Sequence, residues 1–379
     1  MNGIIVLGGH VQGYGIIRVY GFNKIPIILI DSTRFNIARH SKYCKKFYKK
    51  DYEEILEFLL DKTIIEKYGK WLIIPTDDYH VKILSTNKKI LSEHYNILID
   101  DWAKIKLFYD KTNSYPLVEK LGIPVPKTMA KIDKKDLPEI AKNISYPCII
   151  KPAIMKDFLR IFHKKVIFCQ DYKSLLENYE LVTDKIDPSE LLIQEIIDGS
   201  NINQFSVGLF SIDGQVQNFI VAQRARQHPI DFGNATTYAR TVVNETLKNY
   251  ALRIIKEVKL SGVFEVEFKF DDKDKKYKFL EINPRTWKWH LIAEQANVPL
   301  LMSMYNYVYH KESLPTADYK EAAWSDFYTD FSVKLIMKKR KIYEKYNIKN
   351  KISAVWNKSD SLPFIMQGMY LPYLIFKRR

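Results

Sequence analysis

Residues 262–285 read GVFEVEFKFDDKDKKYKFLEINPR, two alternations of apolar and charged residues around a run of aspartates and lysines. A strand sends successive side chains to opposite faces. Glu265, Glu267 and Lys269 therefore share one face of the first strand, and Val266, Phe268 and Phe270 share the other. On the second strand Glu281, Asn283 and Arg285 alternate with Leu280 and Ile282, and DDKDKK between them has the composition of a hairpin turn. If the register sets Glu267 against Glu281, two carboxylates, an amide oxygen and a guanidinium meet on one face. Such a group repels itself unless a cation joins it, and hard oxygens completed by phosphate are what Mg²⁺ takes. The plainer reading is a surface hairpin with exposed acids. It is disfavoured because Phe264, Phe268 and Ile282 give the opposite face the character of a buried wall.

Upstream, YPCIIKP (146–152) ends an apolar strand on Lys151, a charge that is costly to bury without an anionic partner such as phosphate. LLIQEIIDG (191–199) is a strand that closes on an acid and a glycine. Chain direction is expected to change there between two lobes, and backbone groups freed at such a hinge can bond the edge of an adenine ring. Short alternating strands dominate this part of the chain, which predicts an antiparallel α+β region.

The first hundred residues differ. GIIVLGGHVQGYG (3–15) followed by IPIILID (25–31) gives strand, glycine turn, helix and strand, ending on Asp31. That is the order of a dinucleotide fingerprint, but Gly8-Gly9-x-x-x-Gly13-x-Gly15 misses its spacing. Two readings stay open: glycines that let strand and helix pack closely, or a ligand contact. A helix through YEEILEFLLDKTIIEKY (52–68), the strand WLIIPT (71–76) and a helix after DDYH (77–80) complete a predicted parallel, helix-covered sheet. Residues 100–128 read as two helices broken near Asp110 and ended by the GIPVP turn.

Composition bounds the rest. With 379 residues, 46% apolar and 27% charged, the chain is expected to form two or three globular lobes. Cys44, Cys148 and Cys169 are odd in number and form no C-x-x-C pair, which points to a reducing compartment and to neither disulfides nor zinc. The start carries no basic region before an apolar core, so no signal peptide is expected. LPFIMQGMYLPYLIF (362–376) holds two prolines, a glycine and a glutamine and falls short of the roughly 20 residues of a membrane-spanning helix. Of the net charge of +15, residues 333–379 carry twelve Lys/Arg against two acids, 12 − 2 = +10. That predicts an anionic partner for this end: a nucleotide-linked substrate, a lipid diphosphate, an anionic membrane face or RNA, with a merely solvated basic face as the alternative.

The ordered set of Lys111 in DK, Lys151 in IIKP, the Gln194-Glu195 hinge, Glu267 and, fourteen residues on, EINPR resembles the ATP-grasp superfamily. Within it the texture is similar to the carboxylate–amine ligases of the D-aspartate ligase and carbamoyl-phosphate-synthase-like branch. The resemblance implies an α/β and α+β fold. Its parts would be a Rossmann-like pre-ATP-grasp domain at 1–105, a small lobe with linker helices at 106–195, a large metal-bearing lobe at 196–310 and a basic extension at 311–379.

It also implies ATP with Mg²⁺ or Mn²⁺ as cofactors. Lys111 and Lys151 would contact ATP phosphates. Glu195, Ile196 and Ile197 would present the hinge to adenine. Glu267, Glu281 and Asn283 would hold the metal, and Arg285 would stabilise the phosphoryl group and oxyanion. The family's glycine-rich flap is replaced by the glycine-free AIMKDFLRIFHKKVIF (153–168), so phosphate cover there falls to Lys156, Lys164 or Lys165. DGSNINQFS (198–206) offers Asp198, Asn201 and Asn203 where a ribose-binding acid is expected, and Asn203 is grouped with the ATP contacts. QRARQHPIDFGNATTYAR (223–240) resembles the substrate loop, making Arg224 and Arg226 candidates for a carboxylate or acyl phosphate. Gly8, Gly9, His10, Asp77, Asp78 and His290 are the substrate-side candidates.

The implied activity is ATP-dependent ligation of a small acid to an amine through an acyl phosphate, in a cell-envelope or surface-polysaccharide role. The rivals are an ATP-grasp enzyme using a thiol nucleophile, a carboxylate kinase, and a non-catalytic nucleotide-binding protein. Expected partners are small carboxylate and amine substrates with a phosphate-bearing acceptor, a second copy of the chain, and an anionic membrane face met by the basic end. No specific nucleic acid is expected, and the location implied is cytoplasmic, peripheral at the inner membrane face.

Overall fold

The computed structural model describes residues 2–130, 132–153, 158, 161–164, 166–230, 233, 235–312, 314 and 318–377, with only the backbone at 201 and 373–377. The chain forms two compact units that cut across chain order. The first gathers 1–105, 201–266 and 283–379; the second gathers 106–200 and 267–282.

The first unit opens with a parallel sheet of β1 (Ile4–Leu7), β2 (Ile27–Asp31), β3 (Cys44–Lys49) and β4 (Leu72–Pro75) in the order β3-β2-β1-β4. Its inner strands are unbroken apolar runs because both faces are covered. Ile4, Val6, Ile27 and Leu29 enter one core, while Ile5, Leu7, Ile28 and Ile30 enter the other. The helix expected over 52–68 is two, Ile55–Leu60 and Lys62–Tyr68. Asp61 divides them: its backbone is extended and its carboxylate accepts from the amides of Thr63 and Ile64, so an N-cap overrides a continuous amphipathic pattern.

The structure shows why these positions must be glycine: each packs closely against a neighbour. Gly8 has φ +96, and a Cβ there would lie 2.1 Å from Thr76 Oγ1. A Cβ on Gly9 would strike Asn36, one on Gly13 would lie 2.0 Å from the Gly8 carbonyl oxygen, and one on Gly15 would strike His290. Asp31, the acid in the ribose position of a dinucleotide fingerprint, accepts instead from the backbone N–H of Gly9 (2.5 Å) and of Thr33 (2.8 Å). Gly13→Ala is therefore expected to lower stability by roughly 1–3 kcal/mol, the range for overpacking, although alanine gains about 1 kcal/mol in helix propensity. The urea midpoint checks this, and an unchanged or raised midpoint would mean that the turn yields freely.

A second sheet of the same unit is built from β9 (Gln204–Ile212), β10 (Gln215–His228), β11 (Ala235–Thr241), the start of β12 (Gly262–Asp271), β14 (Ala323–Ser325) and β15 (Lys351–Ser353), in the order β12-β9-β10-β11-β14-β15. Residues beyond 310 add to this sheet: β14 pairs antiparallel with β11, setting Ala239 opposite Trp324, and β15 pairs parallel with β14. Helices Phe327–Lys339 and Leu362–Lys377 follow these strands. No helix among the described residues is long and apolar enough to cross a membrane.

The second unit contains an antiparallel sheet of β5 (Thr128–Ala130), β6 (Cys148–Pro152), β7 (Ile167–Cys169) and β8 (Leu191–Glu195), ordered β5-β8-β6-β7. Leu175, Tyr179 and Val182, on one stripe of helix Tyr172–Thr183, pack with Ala141, Ile150 and Ile193 as its core. The end of β12 and β13 (Lys276–Asn283) bring Glu267 and Glu281 into this unit. As expected, the helices Trp102–Tyr109 and Lys111–Lys120 break at Asp110, which caps the second through the Thr112 amide (2.8 Å).

Candidate active site

In the second unit the helix capped by Asp110 sets Lys111 and Tyr115 one turn apart on the same side. Lys151 reaches them from the end of β6. Its ammonium is buried and donates to Tyr115 Oη (3.1 Å) and to Oε1 of Gln194 (2.7 Å), a residue of the paired strand β8. Gln194 is fixed in turn by donating to Thr128 Oγ1 (2.6 Å). Lys111 meets Glu281 at 2.8 Å.

The electrostatics follow from these contacts. Burial lowers the Lys151 pKa and the charge of Lys111 lowers it further, against the Tyr115 hydroxyl. Burial also acts to lower Lys111, but Glu281 and, more weakly, Glu267 outweigh it and hold that ammonium charged. Burial would raise Tyr115, yet the two ammonium groups bring it below its ordinary value. Two cations around one phenol form a pocket that favours an anion. Tyr115 is not assigned from sequence, although its i, i+4 spacing from Lys111 carries a signal, and Gln194 enters there only as part of the hinge; in the β6–β8 pairing it stands opposite Ile149, two residues before Lys151.

Beside them lies a cavity of about 410 Å³ whose lining includes Lys111, Tyr115, Lys127, Leu192, Glu195 and Lys278. The Glu195 side chain accepts from the Lys127 backbone N–H (2.9 Å) and from Lys278 Nζ (2.8 Å). Lys278 also pairs with Asp271 at 2.6 Å and Asp274 at 3.3 Å. The Ile197 carbonyl, expected to be open to adenine, accepts from Lys269 Nζ (2.7 Å), because strand alternation puts Lys269 on that side. Ile196 is partly buried, Lys164 is exposed, and Lys156 and Lys165 lie outside the described residues.

In the first unit Arg285 lies between two candidates, donating to Asp78 Oδ1 (2.6 Å) and to Asn283 Oδ1 (3.3 Å). Asn283 donates to the buried Glu265 (3.1 Å), a partner visible in the strand alternation but not assigned a role from it. Asp77 caps helix Asp78–Thr86 through the His80 amide and accepts from Tyr52 Oη (3.0 Å). Burial pushes its carboxyl up, but His80 and Tyr52 more than offset that and hold it below the usual carboxylate range. Of Gly8, Gly9 and His10, only His10 is exposed; the space a side chain would take at the two glycines is filled by Thr76 and Asn36. Asn203 ends a short 3₁₀ turn just before β9. Among the described residues no three His, Cys, Asp or Glu cluster in a way that could hold a metal ion.

His290 is buried, with its Nε2 3.1 Å from the Gln12 carbonyl oxygen. Burial lowers its pKa from 6.5 to about 4, against the opposing bond to Gln12. The unfolded chain therefore binds a proton between those values that the folded chain does not, and stability falls as pH drops from 6.5 toward about 4. The expected loss is about 3 kcal/mol over that window at 1.36 kcal/mol per unit. Urea titrations across it check this, and His290→Gln should flatten the slope.

Arg224 and Arg226 do not act as a pair. Strand alternation predicts one face for both, but β10 and β11 shift register between them. Arg224 Nη2 donates to the Gly233 carbonyl (3.3 Å) and to Gln227 (3.4 Å). Arg226 is gripped by Asp330 through Nε (2.7 Å) and Nη2 (2.9 Å) and lies 3.9 Å from the Tyr238 ring centroid. As a substrate contact Arg226 is thus replaced by a buried anchor for helix Phe327–Lys339, because a carboxylate of this chain already takes its fork.

Comparison with known proteins gives the following similarities. Residues 214–308 match the family described as carbamoyl-phosphate synthase L chain, ATP binding domain. D-aspartate ligase of Enterococcus faecium is 23% identical over 306 residues, covering 74% of this chain and 70% of the relative. The carbamoyl phosphate synthase large chain of Thermoanaerobacter pseudethanolicus is 24% identical over 232 residues, but that match spans only 19% of the relative. Among solved structures, the ADP complex of N5-carboxyaminoimidazole ribonucleotide synthetase superposes with TM-score 0.67 at 14% identity, covering 92% of this chain and 89% of that one. The biotin carboxylase domain of Hydrogenobacter thermophilus 2-oxoglutarate carboxylase, solved with MgADP and bicarbonate, gives TM-score 0.64 at 16% identity, covering 83% and 71%. At these identities the superpositions establish a shared fold.

Proposed function

We propose that this ATP-grasp chain is an ATP-dependent carboxylate–amine ligase, which activates a small acid as an acyl phosphate and joins it to an amine, releasing ADP and phosphate. The observation that carries this reading is the pair of ammonium groups around Tyr115, with Lys111 held by Glu281 and Lys151 held by Gln194. A carboxylate is a poor electrophile, and a phosphoryl group on it supplies a leaving group. The transfer itself needs in-line positioning and positive charge more than covalent help.

In this reading Lys151 is the fixed phosphate contact, since its two hydrogen bonds hold the ammonium before any nucleotide arrives. Lys111 is the movable one, because its carboxylate partner has a second use. Glu267 and Glu281 both act on the charge of Lys111, and these two carboxylates are the proposed oxygen donors for a divalent cation. Mg²⁺ or Mn²⁺ held there would neutralise the charge of the phosphate oxygens. The guanidinium of Arg285 is proposed to face the transferring phosphoryl group, with Asp78 and Asn283 fixing its plane. Arg224, rather than Arg226, is the proposed contact for the substrate anion.

Similarity to D-aspartate ligase supports an amino acid as the activated acid. The basic C-terminal end supports a phosphate-bearing acceptor of the kind used in envelope or surface-polysaccharide assembly. The test is ADP release by the purified protein against a panel of L- and D-amino acids, with and without amine acceptors. Release that depends on one acid and is increased by an amine is the expected result, and no acid-dependent release would overturn the proposal.

A further inference from the structure

Of the sixteen large apolar side chains exposed among the described residues, nine lie between 327 and 369. Helix Phe327–Lys339 buries Asp330, Val333 and Met337. Its opposite stripe, Phe327, Phe331 and Leu335 at four-residue spacing, is 54–58% exposed. Helix Leu362–Lys377 repeats the pattern, with Tyr370 and Gln367 buried while Leu362, Ile365 and Met369 are 47–65% exposed. The two stripes are joined through rings: Phe331 stacks on Phe327 (6.5 Å), Phe327 meets Phe364 (5.7 Å), and Phe364 meets Trp356 (5.3 Å).

This apolar surface is bordered by exposed cations. Lys338, Lys339, Arg340 and Lys341 follow the first stripe without an intervening acid, and Lys345 and Lys358 are also exposed. Of the acids nearby, Asp330 is held by Arg226 and Asp360 accepts from Ser41 Oγ at 2.6 Å, whereas Glu344, which accepts from Tyr346 Oη at 2.7 Å, is exposed among the cations and offsets only part of their charge.

We propose that this face docks on an anionic lipid bilayer. Aromatic and aliphatic side chains inserting at headgroup depth, with lysines against lipid phosphates, form the two signals that stable peripheral binding needs. A second copy of the chain is a poorer occupant, since a two-fold contact would bring the four consecutive cations of each copy toward the other. A soluble anion alone would leave the exposed rings in water. Nothing spans the bilayer in this arrangement, and the proposal stands independently of the ligase reading.

The experiment is co-sedimentation of the full chain with vesicles of phosphatidylcholine alone and of phosphatidylcholine with phosphatidylglycerol, at low and high salt, beside analytical ultracentrifugation without lipid. Binding to the mixed vesicles, weakened by salt and absent with phosphatidylcholine alone, is expected. Phe331→Asp combined with Met369→Asp should reduce it roughly tenfold or more, given what a buried apolar side chain is worth. Neutralising Lys338, Lys339 and Lys341 to Gln should cost about fivefold for each. Both variants alter exposed side chains, so an unchanged melting temperature verifies their fold. Failure to bind mixed vesicles, equal binding by either variant, or a dimer that the aspartates disperse without any vesicle binding would each overturn the proposal.

Discussion

Glu281→Gln is expected to lower substrate-dependent ADP release by about 10²–10³-fold, the usual cost of removing a preorganised electrostatic group from a transition state. The substitution keeps the shape and one oxygen but removes the charge that holds Lys111 at 2.8 Å. Both proposed uses of that carboxylate, orienting Lys111 and holding a divalent cation, are lost together. Stability should change by less than about 1 kcal/mol, because the ion pair is partly exposed and such pairs contribute little. Nucleotide binding should persist through Lys151, whose hydrogen bonds to Tyr115 and Gln194 do not involve Glu281. Turnover measured beside a binding titration separates these effects, and wild-type turnover in the variant would remove Glu281 from the catalytic machinery.

The second large effect is structural. Asp330→Ala should destabilise the protein by about 3–5 kcal/mol, the cost of stranding one member of a buried ion pair. Asp330 is 1% exposed and accepts both forks of Arg226 together with Thr237 Oγ1 (3.1 Å), so its loss leaves a guanidinium buried without its counter-charge. Lys334, 2.8 Å away and partly exposed, can turn to solvent, whereas Arg226 cannot. Arg226→Met with Asp330→Leu should recover much of the loss, since an apolar pair of similar volume removes both desolvated charges. Urea unfolding of the single and double variants checks this. A single variant within about 0.5 kcal/mol of wild type, the range of ordinary surface substitutions, would show that the pair anchors nothing.

Legibility from sequence followed the range of the interactions. The parallel sheet, the break at Asp110 and the Lys151 strand are local patterns of period and capping, and the structure repeats them. The split at Asp61 was missed because a single side-chain cap competed with a longer apolar pattern, and local hydrogen bonds decided it. Tyr115 is marked in the sequence only by its spacing from Lys111, and Gln194 only by its place in the hinge. They gain a role only when helix, β6 and β8 converge on one ammonium. Arg224 and Arg226 read as equivalent until a register shift in β10 and a carboxylate about a hundred residues away separated them.

The sequence alone determined the types of group available: carboxylates at 267 and 281, ammonium groups at 111 and 151, and a basic, apolar-rich end. These follow from composition and period, which each residue carries with it. Tertiary structure decided which groups are already engaged. Asp31 ties the glycine turn and Asp330 takes Arg226, whereas Lys111 and Lys151 are drawn around one phenol. The physical reason is that desolvation and pairing depend on distance in space, and strand register and helix packing set those distances.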